Sequence, residues 1–224
     1  GDTVRFLTDF VGMGFVEAVQ DLAQQVGMQV PDDDRSPEEK ALQAQRKDKA
    51  HTLSETMATA AAHYRQQLKA SDRAKDYLKG RGLTGEIARH FGIGYAPDGW
   101  RSLSTVFPKY DDPLLVESGL VITAADEGEE EKRYDRFRDR IMFPIRNTKG
   151  QVIGFGGRIM EQGEPKYLNS PETPVFQKGL ELYGLFEARQ AIREAGYALV
   201  TEGYMDVVAL AQMGFPQAVA TLGT

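Results

Sequence analysis

The sequence predicts a mixed fold: an α+β N-terminal subdomain of helices and a small, largely antiparallel sheet, then the beginning of an α/β unit. Three patterns carry this. Apolar residues recur at helical spacing, in interrupted stretches, from Phe15 to Phe91. The period then changes, and two short apolar runs, Ile141 to Ile145 and Val152 to Ile159, flank a turn. At the end, Tyr197 to Thr201, Met205 to Met213 and Gln217 to Leu222 read as strand, helix, strand. Such a unit pairs its two strands in parallel through a right-handed crossover.

Taken in order, Phe15 to Val26 form an amphipathic helix, with Phe15, Val19, Leu22 and Val26 on one side. Phe6, Leu7 and Phe10 suggest a shorter helix before it. From Val30 to Asp48, Pro31, three aspartates and Pro37 followed by alternating charge read as a linker running into a polar helix. The next helix carries Leu53, Met57, Ala60, Tyr64 and Leu68 on one stripe. Ser71 caps a further helix with Ala74, Tyr77 and Leu78 inward, ended by Gly80 and Gly82. Thr84 caps a third, with Ile87, Ala88 and Phe91 inward. Gly92, Gly94 and Pro97 then lead into an irregular loop.

Asn147 to Gly150 make the hairpin turn between the two middle strands. Pro144 cannot donate to a ladder and belongs at a bulge or an edge. Gly154, Gly156 and Gly157 thin the second strand, as happens where a ligand or another backbone comes close. The acidic run Asp126 to Glu131 reads as an exposed loop. Leu185 to Ala195 is helical, closed by Gly196.

The chain's 224 residues, 41% of them hydrophobic, suffice for one large domain or two smaller ones. It has no cysteine, so it holds neither disulfides nor thiolate metal sites. His51, His63 and His90 lack a metal-ligand spacing and read as surface or helix histidines. No apolar run approaches the ~18 residues of a membrane span, and no secretory signal is visible; a cytoplasmic protein with no membrane partner is the expectation.

The net charge is -6, which taken alone argues against nucleic acid. The distribution differs: Lys132 to Lys166 holds nine basic and four acidic residues, a net +5, leaving -11 on the remainder. Screening limits distant charge to about 10 Å, so such a segment is either a phosphate-binding face or a solvated arginine-rich hairpin.

Three constellations can carry chemistry. The glycine-rich strand before Arg158 lets a phosphate or a nucleic-acid backbone approach, or is simply a strained strand. Lys166, Tyr167 and Asn169 put a cation, a ring and an amide on one extended segment, suited to phosphate, base face and base edge, or to a proline-bounded loop. Glu202, followed by Gly203, stands at the carboxyl edge of what reads as a buried strand, where open α/β sheets bind ligands. A carboxylate there is costly to desolvate without a cation. Asp206 falls in the first turn of the next helix, where a negative charge suits the helix dipole. Two-metal chemistry needs further acids, expected as an Asp-x-Asp pair after a later strand. The Asp32 to Asp34 pair reads as a solvated turn.

At this point the motifs converge. Leu199-Val-Thr-Glu202-Gly-Tyr-Met-Asp206-Val resembles the first Toprim motif of bacterial replicative DNA primases of the DnaG type. Arg138 to Arg146, Val152 to Arg158 and Lys166 to Thr173 resemble that family's basic-ridge motifs, in the family's order. Lys178-Gly with Leu182-Tyr-Gly184 fits as well, and Arg73 to Pro97 resembles the helical entry segment. Gly1-Asp2 with Phe6 to Ala23 is similar to the tail behind the family's zinc ribbon.

The resemblance implies an α+β subdomain packed on a Toprim subdomain, with a cleft for single-stranded DNA template, RNA primer and ribonucleoside triphosphates. The implied activity is RNA primer synthesis, with Mg²⁺ or Mn²⁺ at the Toprim site. Glu202 is then a metal ligand or acid-base group, and Asp206 supports it. Arg138, Arg140, Arg146, Arg158, Lys166, Tyr167, Asn169 and Lys178 line the template and nucleotide path. The implied organisation is residues 1–30 as a zinc-domain tail, 31–50 as linker, 51–195 as the core's N-terminal subdomain and 196–224 as the Toprim start. Zn²⁺ belongs to the full-length family protein, whose ligands are absent here, as are later Toprim aspartates and the domain that contacts the replicative helicase. The expectation is therefore a fragment that makes no primer alone. The alternatives are another Toprim enzyme, such as a phage primase-helicase, or a non-catalytic single-stranded nucleic-acid binding module.

Overall fold

The computed structural model describes residues 15–25, 37–124 and 132–222. The expectations for residues 1–14, for the turn at Asp32 to Asp34 and for the loop at Asp126 to Glu131 lie outside them. The chain forms two compact units, residues 1–46 and 47–224.

In the first unit, α1 (Phe15–Gln25) forms where its spacing predicts, with Ala18 buried and Val19 and Leu22 half-buried. The helix α2 (Pro37–Ala70) is the polar helix into which the expected linker runs, and it begins at Pro37. Proline is pre-set for a first helical position, and the Glu, Lys, Ala, Leu, Gln and Arg that follow are strong helix formers. Alternating charge there marks a solvated helix, not a break.

In the second unit, the α2 stripe Leu53, Met57, Ala60, Tyr64 and Leu68 is buried, none more than 9% exposed. His63 is one of the expected helix histidines, and it is buried, its Nε2 2.9 Å from Ser102 Oγ. α3 (Asp72–Gly80) and α4 (Gly85–His90) start as predicted. Ser71 Oγ accepts from the Ala74 amide, and Thr84 Oγ1 accepts from the Ile87 amide. Each cap is worth about 1 kcal/mol. Gly82, at φ +76°, supplies the left-handed residue after α3.

The expected loop after Gly92 contains a strand, β1 (Gly94–Ala96). Three residues are too few to show alternation. Gly94 is there because α2 lies directly on it: an added Cβ would sit 2.6 Å from Tyr64 Cβ. A 3-10 turn (Ser102–Thr105), α5 (Pro113–Glu117) and the antiparallel hairpin β2 (Val121–Ala124) and β3 (Lys132–Asp135) follow, none of them read from the sequence. Buried Asp135 ties this region together, accepting from the Leu103 amide at 3.0 Å and the Tyr110 hydroxyl at 2.6 Å.

β4 (Arg140–Arg146), β5 (Val152–Ile159) and β6 (Tyr167–Asn169) complete an antiparallel sheet in the order β1-β4-β5-β6. Pro144 lies beyond Met142, the last residue β1 pairs with, and next to the bulge at Ile145/Arg146. That is the position its missing donor requires. Ile141, Phe143 and Ile145 face a core with α3 and α4, while Met142 and Phe155 face one with α2.

After a 3-10 turn (Lys178–Leu180) come β7 (Leu182–Tyr183), α6 (Leu185–Ala195), β8 (Leu199–Thr201), α7 (Tyr204–Gln212) and β9 (Ala218–Thr221). β8 and β9 are parallel, as the crossover predicts, and β7 pairs antiparallel with β9 in the order β7-β9-β8. Among the described residues β8 is therefore an edge strand. Val200 is 65% exposed, which corrects the buried strand expected before Glu202. Among the described residues, no helix is long and apolar enough to cross a membrane.

Candidate nucleic-acid interface

The α/β segment bearing Glu202 packs on the antiparallel sheet with Tyr204 in the shared core. Tyr204 begins α7 and is 5% exposed. It stacks on Phe143, with centroids 5.5 Å apart and planes 12° apart, and meets Tyr183 edge-on at 4.8 Å. Such pairs contribute about 0.5–1.5 kcal/mol each beyond area burial. Its hydroxyl donates to Asn169 Oδ1 at 2.6 Å, and Asn169 Nδ2 donates to the Leu222 carbonyl at 2.8 Å. Both ends of the amide are thus committed inside the protein.

The glycines of β5 receive aromatic rings, not the ligand or backbone expected at them. A Cβ at Gly154 would lie 3.2 Å from the Phe176 ring, at Gly157 2.8 Å from Phe137, and at Gly156 2.4 Å from Tyr204. Tyr204 is held on three sides and cannot step back. Gly156→Ala should therefore destabilise the protein by about 3 kcal/mol, at or above the usual overpacking range. Thermal melting measures it, and an unchanged Tm would mean that the ring is free to move.

Arg158 is the unusual cation. It is 5% exposed, with its guanidinium carbon 5.6 Å from the Tyr77 centroid and 5.5 Å from that of Tyr167. It makes no hydrogen bond or ion pair among the described residues, and its Nε is buried without a partner. Its terminal nitrogens, which make no hydrogen bond among the described residues, are donors free for an anion. Tyr167, paired with Arg158 across β5 and β6, also touches Tyr204 at 6.0 Å. Arg158, Tyr167 and Tyr204 therefore form one continuous patch.

The other predicted residues divide. Arg138 is half-buried, donates to the Asp135 carbonyl at 2.8 Å, and lies 4.3 Å from the Trp100 ring and 5.0 Å from that of Tyr134. An arginine on an exposed tryptophan is a platform for a base or a phosphate. Lys166 is exposed, and Lys178 is half-buried at the head of its 3-10 turn. Arg140 is buried, and donates to the carbonyls of Gly157 at 3.2 Å and Lys166 at 3.4 Å. Burial, then the charge of Arg138, pulls its pKa down. Arg146 is spent on Glu187 and on the Phe91 carbonyl. Arg140, Arg146 and Asn169 are thus structural in their contacts.

Glu202 and Asp206 are both exposed. Among the described residues β8 is an edge strand, and none of them desolvates Glu202. Gly203 has extended backbone (φ -130°, ψ 146°), open to any residue. A Cβ there would sit 2.8 Å from Asp206 Oδ2, the end of an exposed side chain that can turn aside. The Asp206 carboxylate thus reaches back to Gly203 at the start of α7. Among the described residues, no group of three or more histidines or acids stands together as a metal site. Mg²⁺ takes one or two carboxylates beside waters and phosphates, and two exposed carboxylates at a strand end fit that limited role.

Sequence reasoning missed Trp100 and Arg81 as ring partners, while Tyr77, read as an inward residue, does pack against the core. Arg81 lies 5.4 Å from the Tyr77 centroid. The i, i+4 spacing of Tyr77 and Arg81 was available as a signal. Trp100 gave none, since its partner Arg138 is remote in sequence.

The DNA primase catalytic core, N-terminal domain family matches residues 63–189. The DNA primase of Neisseria meningitidis serogroup A is 54% identical over the whole chain, which spans 37% of that primase. A DnaG primase catalytic domain bound to single-stranded DNA is 45% identical, with TM-score 0.70, covering 81% of this chain and 56% of that one. The zinc-binding and RNA polymerase domains of the Aquifex aeolicus primase are 32% identical, with TM-score 0.69, covering all of this chain and 52% of that one. With more than half its length matched by the family and the antiparallel sheet in place, the chain belongs to the DNA primase catalytic core, N-terminal domain family.

Proposed function

We propose that this chain is part of a DNA-dependent RNA polymerase that makes short RNA primers on single-stranded DNA during replication in the cytoplasm. The observation that carries the reading is Arg158: a buried cation with no acceptor, beside the ring that docks the Glu202 unit. Kinship with a primase catalytic domain bound to single-stranded DNA supports it. Residues 51–195 form the core's N-terminal subdomain and 196–224 the Toprim start, with 1–30 a zinc-domain tail. Zn²⁺ and the replicative helicase engage other parts of the whole protein.

In the reaction, the primer 3′-hydroxyl attacks the α-phosphorus of a ribonucleoside triphosphate, one O–P bond forms and pyrophosphate leaves. Glu202, supported by Asp206, holds Mg²⁺ or Mn²⁺ or takes the hydroxyl proton. The bound ion supplies positive charge at the phosphate. Arg158, Lys166 and Lys178 neutralise phosphates, while Tyr167 and the Arg138–Trp100 platform hold bases. Arg140, Arg146 and Asn169 keep the walls of the path in place.

The test is single-strand affinity across a salt series, with Arg158→Ala and Lys166→Ala in the full natural protein. Each variant should weaken binding and flatten the log-log salt slope by about 0.7. If both bind like the parent at every salt level, this face is not the path.

A further inference from the structure

A groove of about 580 Å³ runs between the end of α2, α3 and α4, a volume in the range of ligand pockets. Its floor is aliphatic: Leu68, Leu78, Leu83, Ala88 and Ile93, all from the core beneath. Its rim is cationic. Arg65, Lys69, Lys75, Lys79 and Arg89 line it, and no described carboxylate does. In a chain of net charge -6, that is a local reversal.

The cations are unequally committed. Lys75 holds Asp72 and reaches the Lys69 carbonyl at the end of α2, and Lys79 lies 3.4 Å from Asp76. Arg65, Lys69 and Arg89 are exposed and have no carboxylate partner among the described residues. An aliphatic floor and three free cations thus face the same opening.

Helix geometry sets this groove apart from the Arg158 face. With about 3.6 residues per turn, Lys75 and Lys79 stand on the opposite side of α3 from Arg73 and Tyr77. Arg73 is bound to Asp139 and Glu161, and the Tyr77 ring lies against Arg158. No described aromatic side chain lines the groove, so it offers bases no stacking platform. Leucines do nothing for a sugar–phosphate strand, but they bury the apolar face of a peptide helix. Screening confines charge attraction to about 10 Å, so the rim and not the net charge selects what enters.

We propose that this groove is a docking site for an acidic, amphipathic helical segment of a partner protein. Its apolar side chains pack on Leu68, Leu78 and Leu83, and its carboxylates pair with Arg65, Lys69 and Arg89. The site is independent of the primer-synthesis reading.

The experiment measures fluorescence anisotropy of a labelled peptide about fifteen residues long, titrated with the full natural protein. The peptide carries leucines at i, i+3, i+4 and i+7 and glutamates on the flanks. A scramble of the same composition, and a version with lysine for each glutamate, should bind at least about tenfold more weakly. The combined variant Arg65→Gln, Lys69→Gln, Arg89→Gln should lose about tenfold in affinity for the acidic peptide, with Tm unchanged because all three side chains are exposed. Gly85→Phe should block the peptide, since Gly85 lines the groove and a Cβ there meets nothing within 4 Å. Both variants should bind labelled oligothymidylate like the parent, and unlabelled oligothymidylate should not displace the peptide. The proposal is overturned if the peptide fails to bind, if its scramble binds equally well, or if the glutamine variant binds it like the parent. Displacement by oligothymidylate also overturns it, and makes the groove a nucleic-acid surface. Should Gly85→Phe not fold, the glutamine variant decides.

Discussion

Replacing Glu202 with glutamine should lower primer synthesis by the full natural protein about 10²- to 10⁴-fold while its affinity for single-stranded DNA stays at the parent level. The range is that of losing a positioned acid-base group, and loss of a metal-holding carboxylate falls within it. Three features make the variant clean. Glu202 is exposed, so the amide enters no packed environment. It makes no hydrogen bond or ion pair among the described residues, so no structural contact is lost. Glutamine keeps the shape and removes the charge. Primer synthesis on single-stranded template with Mg²⁺ and a parallel binding titration read the two effects separately. Synthesis at the parent rate would remove Glu202 from the chemistry and leave a binding module. Loss of both activities together would point to a folding defect, which melting of the same sample reveals.

Glu187→Ala should destabilise the protein by about 3–5 kcal/mol, with a Tm fall of roughly 10 °C. The Glu187 side chain is 6% exposed and that of Arg146 16%. Arg146 lies at the end of β4 and Glu187 in the first turn of α6, so their ion pair clamps the antiparallel sheet to the α/β unit. Truncating the acid strands a largely buried guanidinium with the Phe91 carbonyl, 3.3 Å away, as its remaining acceptor among the described residues. The size of the effect comes from that stranded charge, since a buried pair as a whole contributes little net stability. The double variant Arg146→Met, Glu187→Leu should accordingly recover most of the loss. A Glu187→Ala protein that melts with the parent would show that the pair is solvated and the clamp unimportant.

Much of the helical half was legible in the sequence for local reasons. Ser71 and Thr84 cap helices because their hydroxyls reach amides three residues on, and the Leu53 to Leu68 stripe is a one-dimensional pattern. The β4–β5 hairpin was legible because its turn and apolar runs are adjacent, as was the parallel β8–β9 pair. β1, the β2–β3 hairpin and α5 were not. They are short, and β1 exists because β4, more than forty residues on, supplies its partner.

The site followed the same division. Glu202 at a strand end and the cations near Lys132 to Lys166 could be picked out from order alone. Their environments could not. Arg146, Arg140 and Asn169 share a sequence character with Arg158 and Lys166, yet the fold pairs the first three internally and leaves Arg158 buried without an acceptor. Likewise the β5 glycines gave a thin strand, but only packing put the Phe176, Tyr204 and Phe137 rings over them. The sequence by itself determined the elements and the kind of chemistry, because capping, periodicity and charge act between near neighbours. The tertiary structure alone decided which charges remain available for a ligand, because desolvation and pairing depend on residues far apart in the chain.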